Sequence, residues 1–501
     1  MLRAIMGMLV TVSNALVAEL AIHNAPDTIP VSEKYSLTIN GEACRVQEVY
    51  ADFMAVDRDD ATFQKYGMAN FSFSDPVELK IRVSDEAVKS AVVRPLSRGI
   101  TPEISGNEIT LTLPEPMYVV LEVNNDPSSE LHIFGNPVEQ DVPNVSGEDV
   151  IKIQPRTDYG ADEITDIIKN KPGALVYFAP GLYAGKEKAL RIIPAEGQTL
   201  YFAGGAYMNG CTFRINADNV TLRGRGVIDK NADKSYSAKG QMLLMDNAKN
   251  LNLEGLTFLD AWGWCVAMHY SDGVHIRNFK IIAHRQNSDG INPLSSKNVL
   301  IEKSFIHNGD DGIAIKALNG ISTEDITVRD MVIWIDFGWA ACEIGKETNG
   351  EYIRDVLFEN IDVLHAYGSA IGIGVEGSAI VTNITYRNIR SECPREKTQM
   401  AQPGYMIEFQ TRVKMRPPIP PGGHPPPTGW IDGVLIENLQ LIEESPDQKT
   451  ACQLISYSDK NPIRNIKIKD MKWMGKPVTD FKTGNFYISG AVSDVSFQTG
   501  E

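Results

Sequence analysis

At 501 residues the chain is long enough for more than one domain and a large buried core. Hydrophobic residues make up 43% and charged residues 22%, a soluble globular composition. The formal net charge of -16 argues against nucleic acid or an anionic membrane as the main partner, because both need a basic surface.

Residues 1–18 carry one early positive charge, an apolar stretch interrupted by Thr11, Ser13 and Asn14, and small residues near the end. They read either as a secretory signal, implying a secreted or periplasmic protein, or as a first strand, which leaves a cytoplasmic one. No other segment approaches 18 uninterrupted apolar residues, so no membrane-spanning helix is expected. Residues 19–145 contain short alternating segments at Tyr35–Ile39, Val77–Val83, Glu108–Leu113 and Tyr118–Val123, separated by turn residues. This spacing predicts an antiparallel β-sandwich, with Asn136-Pro137 and Asp141 to Asn144 as its exit linker.

From 150 to 495 the pattern becomes a repeat. A polar turn ending in Asn, Asp or Gly precedes a strand with apolar residues at alternate positions. The turns fall at Asn219, Asn250, Gly273, Asn298, Asp325, Asp355, Asn383, Gly433 and Asn465, mostly at intervals of 23 to 32 residues. Such a period means a solenoid. The unit has no amphipathic helix, and β-branched residues and Leu fill its apolar slots. The all-β expectation is therefore a sandwich followed by a right-handed parallel β-helix. One long interval holds a proline-rich insertion at 415–430, which cannot donate to a ladder and must leave the stack. It reads as a surface excursion or as a wall of a binding cleft with Trp430 facing the ligand. Six scattered cysteines without CxxC spacing read as free core thiols, with one or two disulfides as the alternative.

Two acidic clusters stand out within the repeat: Asn287-Ser288-Asp289-Gly290, and Asn308-Gly309-Asp310-Asp311-Gly312, 21 residues on. That spacing is about one coil, so three carboxylates would share one patch. Neighbouring strand residues point to opposite faces, so Asp310 and Asp311 can reach one site only where the backbone turns. Gly309 and Gly312 give it that freedom. Crowding raises the pKa of one of the pair, suiting it to act as an acid, while Asp289 stays ionised and holds a water. Two carboxyl groups at fixed separation are the minimum apparatus for cutting a glycosidic bond. The opposing reading is that these aspartates cap turns.

Further candidates surround this patch. Lys316 would neutralise the aspartates or bind sugar oxygens. Trp264 and Trp339 would stack on sugar faces, or belong to the core. Glu343 would bind substrate hydroxyls or form a structural salt bridge, and Lys346 follows in the same stretch. Of His269, His284 and His307, His284 is the one expected to face substrate. No His and carboxylate group has metal-ligand spacing and no phosphate loop is present, so no metal or cofactor is expected.

The stretch from Trp264 to Lys316 resembles glycoside hydrolase family 28, the polygalacturonase-like enzymes. Asn287 to Pro293 is similar to that family's N-T/S-D-G-I-x-P element, and Gly309 to Lys316 to its G-D-D-x-I-A-I-K element. Thr157 to Ala161 and Val176 to Tyr183 resemble the opening of its β-helix. The resemblance implies hydrolysis with inversion, Asp310 as general acid, and Asp289 and Asp311 activating water. Two departures bear on substrate. Gly338-Trp339-Ala340 stands where the family carries Gly-His-Gly, and Ala370 to Val375 where it carries the Arg-Ile-Lys uronate clamp. A poly- or oligosaccharide other than polygalacturonate is therefore the expected partner. The sandwich-first layout, with Val332 to Trp334 and Tyr177 to Gly181, resembles glycoside hydrolase family 49, the dextranases and relatives. A polysaccharide lyase and a non-catalytic carbohydrate-binding β-helix are the alternatives.

Overall fold

The computed structural model describes residues 19–51, 64–84, 86–230, 240–285, 287–394, 404–414, 423–444 and 449–500. The signal-peptide reading of residues 1–18 and the stretch 415–422 of the proline-rich insertion lie outside them. The fold is nearly all β, as its patterning requires, and forms a right-handed parallel β-helix behind a two-sheet unit.

The reason for the repeat is visible in the backbone. Asn219, Asn250, Asn298, Asp325, Asp355, Asn383 and Asn465 all have φ between 52° and 59°, and Gly273 and Gly433 have φ of 73° and 88°. Only Gly, Asn and Asp enter this left-handed region cheaply, which explains the restricted composition of the turn. The residue after each turn points inward. Leu251, Val274, Val299, Ile326, Val356, Ile384, Val434 and Ile466 stack in register from coil to coil, each at most 2% exposed. Side-chain amides bridge the turns outside, as from Asn298 to Asp272 at 2.7 Å.

Each coil also contributes a strand to an eleven-stranded sheet that includes Ile291–Leu294, Ile313–Ala317, Ala340–Thr348, Ser369–Val375 and Tyr405–Thr411. The inner columns merge into one apolar core along the solenoid. A short helix, Glu163–Ile168, inserts Ile164 and Ile168 at its N-terminal end. All six cysteines are buried and free.

The preceding unit packs a five-stranded sheet on a six-stranded one around its own core. One pairing departs from the antiparallel expectation: Asp126–Pro137 runs parallel to Gln64–Phe73. Asn136, expected in a linker, is instead buried in that strand, and its amide donates to Asn70 Oδ1 at 2.7 Å and the Phe71 carbonyl at 2.8 Å. The outer face of the six-stranded sheet docks on the β-helix through Tyr66, Tyr118 and Phe134 against Phe305, Val332 and Trp334, all buried. This apolar contact fixes which side of the solenoid stays open.

Candidate active site

The eleven-stranded sheet positions the aspartates. Ile291 pairs with Ile313, so a coil here is 22 residues and Asp289 lies level with Asp311 rather than Asp310. Neighbouring strands are about 4.8 Å apart, which places these two carboxylates on adjoining rungs of one face. The Gly290 amide donates to the Asp311 carbonyl at 2.9 Å and locks this register. The backbone bends at Gly309 and Asp310, bringing Asp310 beside Asp311 with its Oδ1 accepting from the Asp311 amide at 3.0 Å.

The flanking glycines serve close approach rather than turning freedom. Neither Gly309 nor Gly312 has positive φ. A Cβ on Gly309 would lie 2.7 Å from the His284 carbonyl oxygen, and one on Gly312 would lie 2.6 Å from that of Ala341. On the next rung, a Cβ on Gly338 would come within 2.4 Å of the Asp310 carbonyl carbon. Gly338 thus packs directly against the aspartate pair. The Trp339 and Ala340 amides, at 2.6 and 3.2 Å, both donate to Asp311 Oδ1.

Charge is unevenly shared. Lys316 is buried, with Nζ 3.2 Å from Asp289 Oδ2 and 2.9 Å from Glu347 Oε2. Burial opposes its charge, but Glu347, Asp289 and Asp311 outweigh burial and hold it protonated. Asn292, with its amide nitrogen assigned toward the acceptors, donates to Asp289 Oδ2 at 3.2 Å. Burial pushes the Asp289 carboxyl well above its usual range, against the pull of Lys316. Asp289 is 3% exposed and feels both other aspartates as well as the Lys316 cation. Asp310 is half-buried, and burial followed by the Asp311 charge raises it to about 7.

The adjoining rungs form a shallow open pocket lined by Trp339, Glu343, Lys346, Gly374, Glu408 and Arg412, among others. Lys346 Nζ sits 3.5 Å from the Trp339 ring centre and the Arg412 guanidinium 4.2 Å from it. Arg412 also donates to Glu376 Oε1 at 2.9 Å. Burial raises the Glu343 carboxyl to about 8. Trp264 lies beside the aspartates, its ring centre 4.7 Å from Lys316 Nζ.

The fold therefore gathers Asp289, Asp310, Asp311, Lys316 and Trp264, and next to them Trp339, Glu343 and Lys346. It does not bring His284 or Trp430 to this pocket. His284 is 1% exposed and faces the sandwich, with Nδ1 2.7 Å from Asp336 Oδ2 and its ring edge-on to Tyr66. Trp430 is half-buried where the chain enters Ile431–Glu443, and its carbonyl accepts from the Val381 amide at 2.9 Å. Reading residues singly missed Glu347, Glu408, Gln410 and Arg412. The last three alternate with buried Ile407, Phe409 and Thr411, a period-two signal of one outward face.

The comparisons with known proteins fall on the same region. Residues 209–393 match the family model for Glycosyl hydrolases family 28. A probable polygalacturonase of Arabidopsis thaliana is 24% identical over a match covering 46% of this chain and 48% of the relative. An endo-polygalacturonase of Pectobacterium parmentieri is 29% identical, covering 30% and 37%. The match thus spans about half or less of these curated relatives. Among solved structures, Dex49A from Penicillium minioluteum superposes with a TM-score of 0.67 at 16% identity, covering 94% of this chain and 96% of that one. An exopolygalacturonase from Thermotoga maritima gives a TM-score of 0.52 at 15% identity, covering 69% and 91%. At these identities the structural likeness shows the fold.

Proposed function

We propose that the chain is an inverting glycoside hydrolase acting on a poly- or oligosaccharide. The observation that carries this reading is the juxtaposition of Asp289 and Asp311 on adjoining rungs, with Asp310 beside them and Lys316 bound to Asp289. The family 28 match over residues 209–393 supports it.

Asp310 is the general acid. A carboxyl raised to about 7 is protonated near neutrality, and Asp310 is the most exposed of the three. It gives its proton to the glycosidic oxygen as the bond to the anomeric carbon breaks. Water attacks that carbon from the opposite face and loses its proton to the Asp289 and Asp311 pair. Lys316 holds positive charge beside Asp289 and limits the cost of the negative charge gathered there. Inversion requires acid and base carboxyls roughly 6.5–9.5 Å apart, to leave room for that water.

The substrate on this reading is not polygalacturonate. Ala370 to Val375 offers no long cation, and the cations nearby stand among acids: Arg412 pairs with Glu376, and Lys346 lies 4.0 Å from Glu343. Alternating acids and bases around the Trp339 ring suit sugar hydroxyls better than a row of carboxylates. The test is a panel of plant and microbial polysaccharides assayed for new reducing ends, beside Asp310→Asn. Reducing ends from the wild type and almost none from the variant are expected. An unsaturated product absorbing in the near ultraviolet would identify a lyase. Binding without cleavage would identify a carbohydrate-binding solenoid.

A further inference from the structure

The same rungs carry a second cluster on their rear side, where the β-helix meets the sandwich. It is built from Glu130 and His132 on Asp126–Pro137, His307 on Phe305–Asn308, and His284 and Asp336 from the neighbouring rungs. Glu130, His132 and His307 are 0% exposed. His132 Nε2 lies 2.9 Å from His307 Nδ1, and Glu130 Oε1 lies 3.7 Å from the same nitrogen. On the far side of that ring, His307 Nε2 is 3.2 Å from Asp336 Oδ2, which His284 Nδ1 also meets at 2.7 Å. Aromatic faces seal the cluster: Trp334 stacks on His307 at 4.2 Å and Tyr66 at 5.3 Å, while Phe305 meets His132 edge-on.

We propose that Glu130, His132 and His307 form a structural site for a divalent transition metal, zinc being the ion that fits best, with Asp336 orienting His307 from behind. Three arguments support this. Imidazole nitrogens and one carboxylate are a usual donor set for zinc, and one oxygen of Glu130 with the His132 and His307 nitrogens supplies three ligands. The spacing is also right. Tetrahedral ligands at about 2.0–2.1 Å from zinc stand about 3.3 Å from one another, and the observed separations of 2.9 and 3.7 Å bracket that value. The second shell matches as well: a ligating His commonly hands its other nitrogen to a carboxylate, and Asp336 occupies that place on His307.

The site joins the two halves of the chain. Glu130 and His132 belong to the six-stranded sheet, whereas His307 lies three residues before Asp310. A bound ion would clamp the sandwich to the rung that turns into the aspartate pair. Such burial leaves the ion no ready exit, so it is expected to bind during folding and to resist chelators afterwards.

The test uses the full chain without a histidine tag. The wild type is unfolded in denaturant with a chelator, then refolded with zinc, with cobalt(II) or with chelator alone. Bound metal is measured by mass spectrometry after dialysis, and melting is followed by circular dichroism. About one zinc per chain, a higher melting temperature than the chelator-refolded protein, and visible cobalt absorption of tetrahedral intensity are expected. Glu130→Gln and His132→Gln should lose the metal, and the wild-type refolding comparison decides the matter if either variant does not fold. A wild type that refolds equally well in zinc and in chelator and retains less than about a tenth of an equivalent would overturn the proposal. The cluster would then be a network of shared protons on His307 and His284.

Discussion

The segments 283–289, 305–311 and 333–340 have two sides with opposite chemistry. The front carries Asp289, Asp310 and Asp311 around one buried cation, with the Trp339 pocket on the adjoining rungs. The rear carries His284, His307 and Asp336, sealed beneath Tyr66 and His132 of the sandwich. The front concentrates negative charge with little to neutralise it beyond Lys316, so carboxyl groups there are pushed upward. The rear sets carboxylates among imidazoles, with His284 and His307 both meeting Asp336. Like charges are crowded on the front, and carboxylates are partnered where the sandwich meets the β-helix.

This contrast can be broken at the front first. Asp310→Asn and Asp289→Asn should each lower kcat by about 10³-fold or more while the folded variants still melt cooperatively. Steady-state kinetics beside thermal denaturation checks both halves of that statement. Lys316→Met should destabilise the chain by about 3–5 kcal/mol, because it leaves buried Asp289 and half-buried Glu347 without their cation. Denaturant titration at several pH values should show the loss shrinking as the pH falls and those carboxyls protonate.

The rear should respond in the opposite sense. Phe134→Ala removes a fully buried ring tilted against Phe305, with ring centres 5.1 Å apart, in the docking contact. It should cost about 3 kcal/mol of stability, with kcat of the folded enzyme unchanged within about twofold. Gly338→Ala tests the seam between the two sides. The new Cβ would press on the Asp310 backbone, so kcat should fall by about 10²-fold with the circular dichroism spectrum retained.

The smallest effect is the pH dependence of stability. Between the ordinary carboxyl value and about 7, the folded chain holds a proton on Asp310 that the unfolded chain has released. Stability contributed by this group therefore falls as pH rises through that window, and is fully lost above it. Asp310→Asn should abolish that slope, so its melting temperature should gain on the wild type as pH rises to about 7 and gain no more beyond. The rate of the wild type should decline above the same pH, as the acid loses its proton.

Local chemistry was readable along the chain where the period repeats. Asn or Asp before an inward Val or Ile marks a coil because only a few residues tolerate the left-handed turn, and that constraint recurs at Asn298, Asp325 and Asn383. The aspartates were readable because one coil separates them. The length of that coil was not, and it decides that Asp289 meets Asp311 instead of Asp310. The rear cluster was hidden for a different reason. Glu130 and His132 stand 152 or more residues before His284, so no spacing rule connects them. His284 looked like a substrate ligand because Asp289 follows it closely, yet both lie in the connection after the strand that ends at Ala283, and the two side chains leave by opposite sides.

The most direct test of the three-aspartate site is the configuration of the first sugar released. Proton NMR of a digest, followed from the earliest minutes, distinguishes the anomers before they equilibrate. Initial appearance of the anomer opposite to that of the substrate linkage, and its absence with Asp310→Asn, is the expected result. Initial retention of configuration, or an Asp310→Asn variant as fast as the wild type, would contradict it.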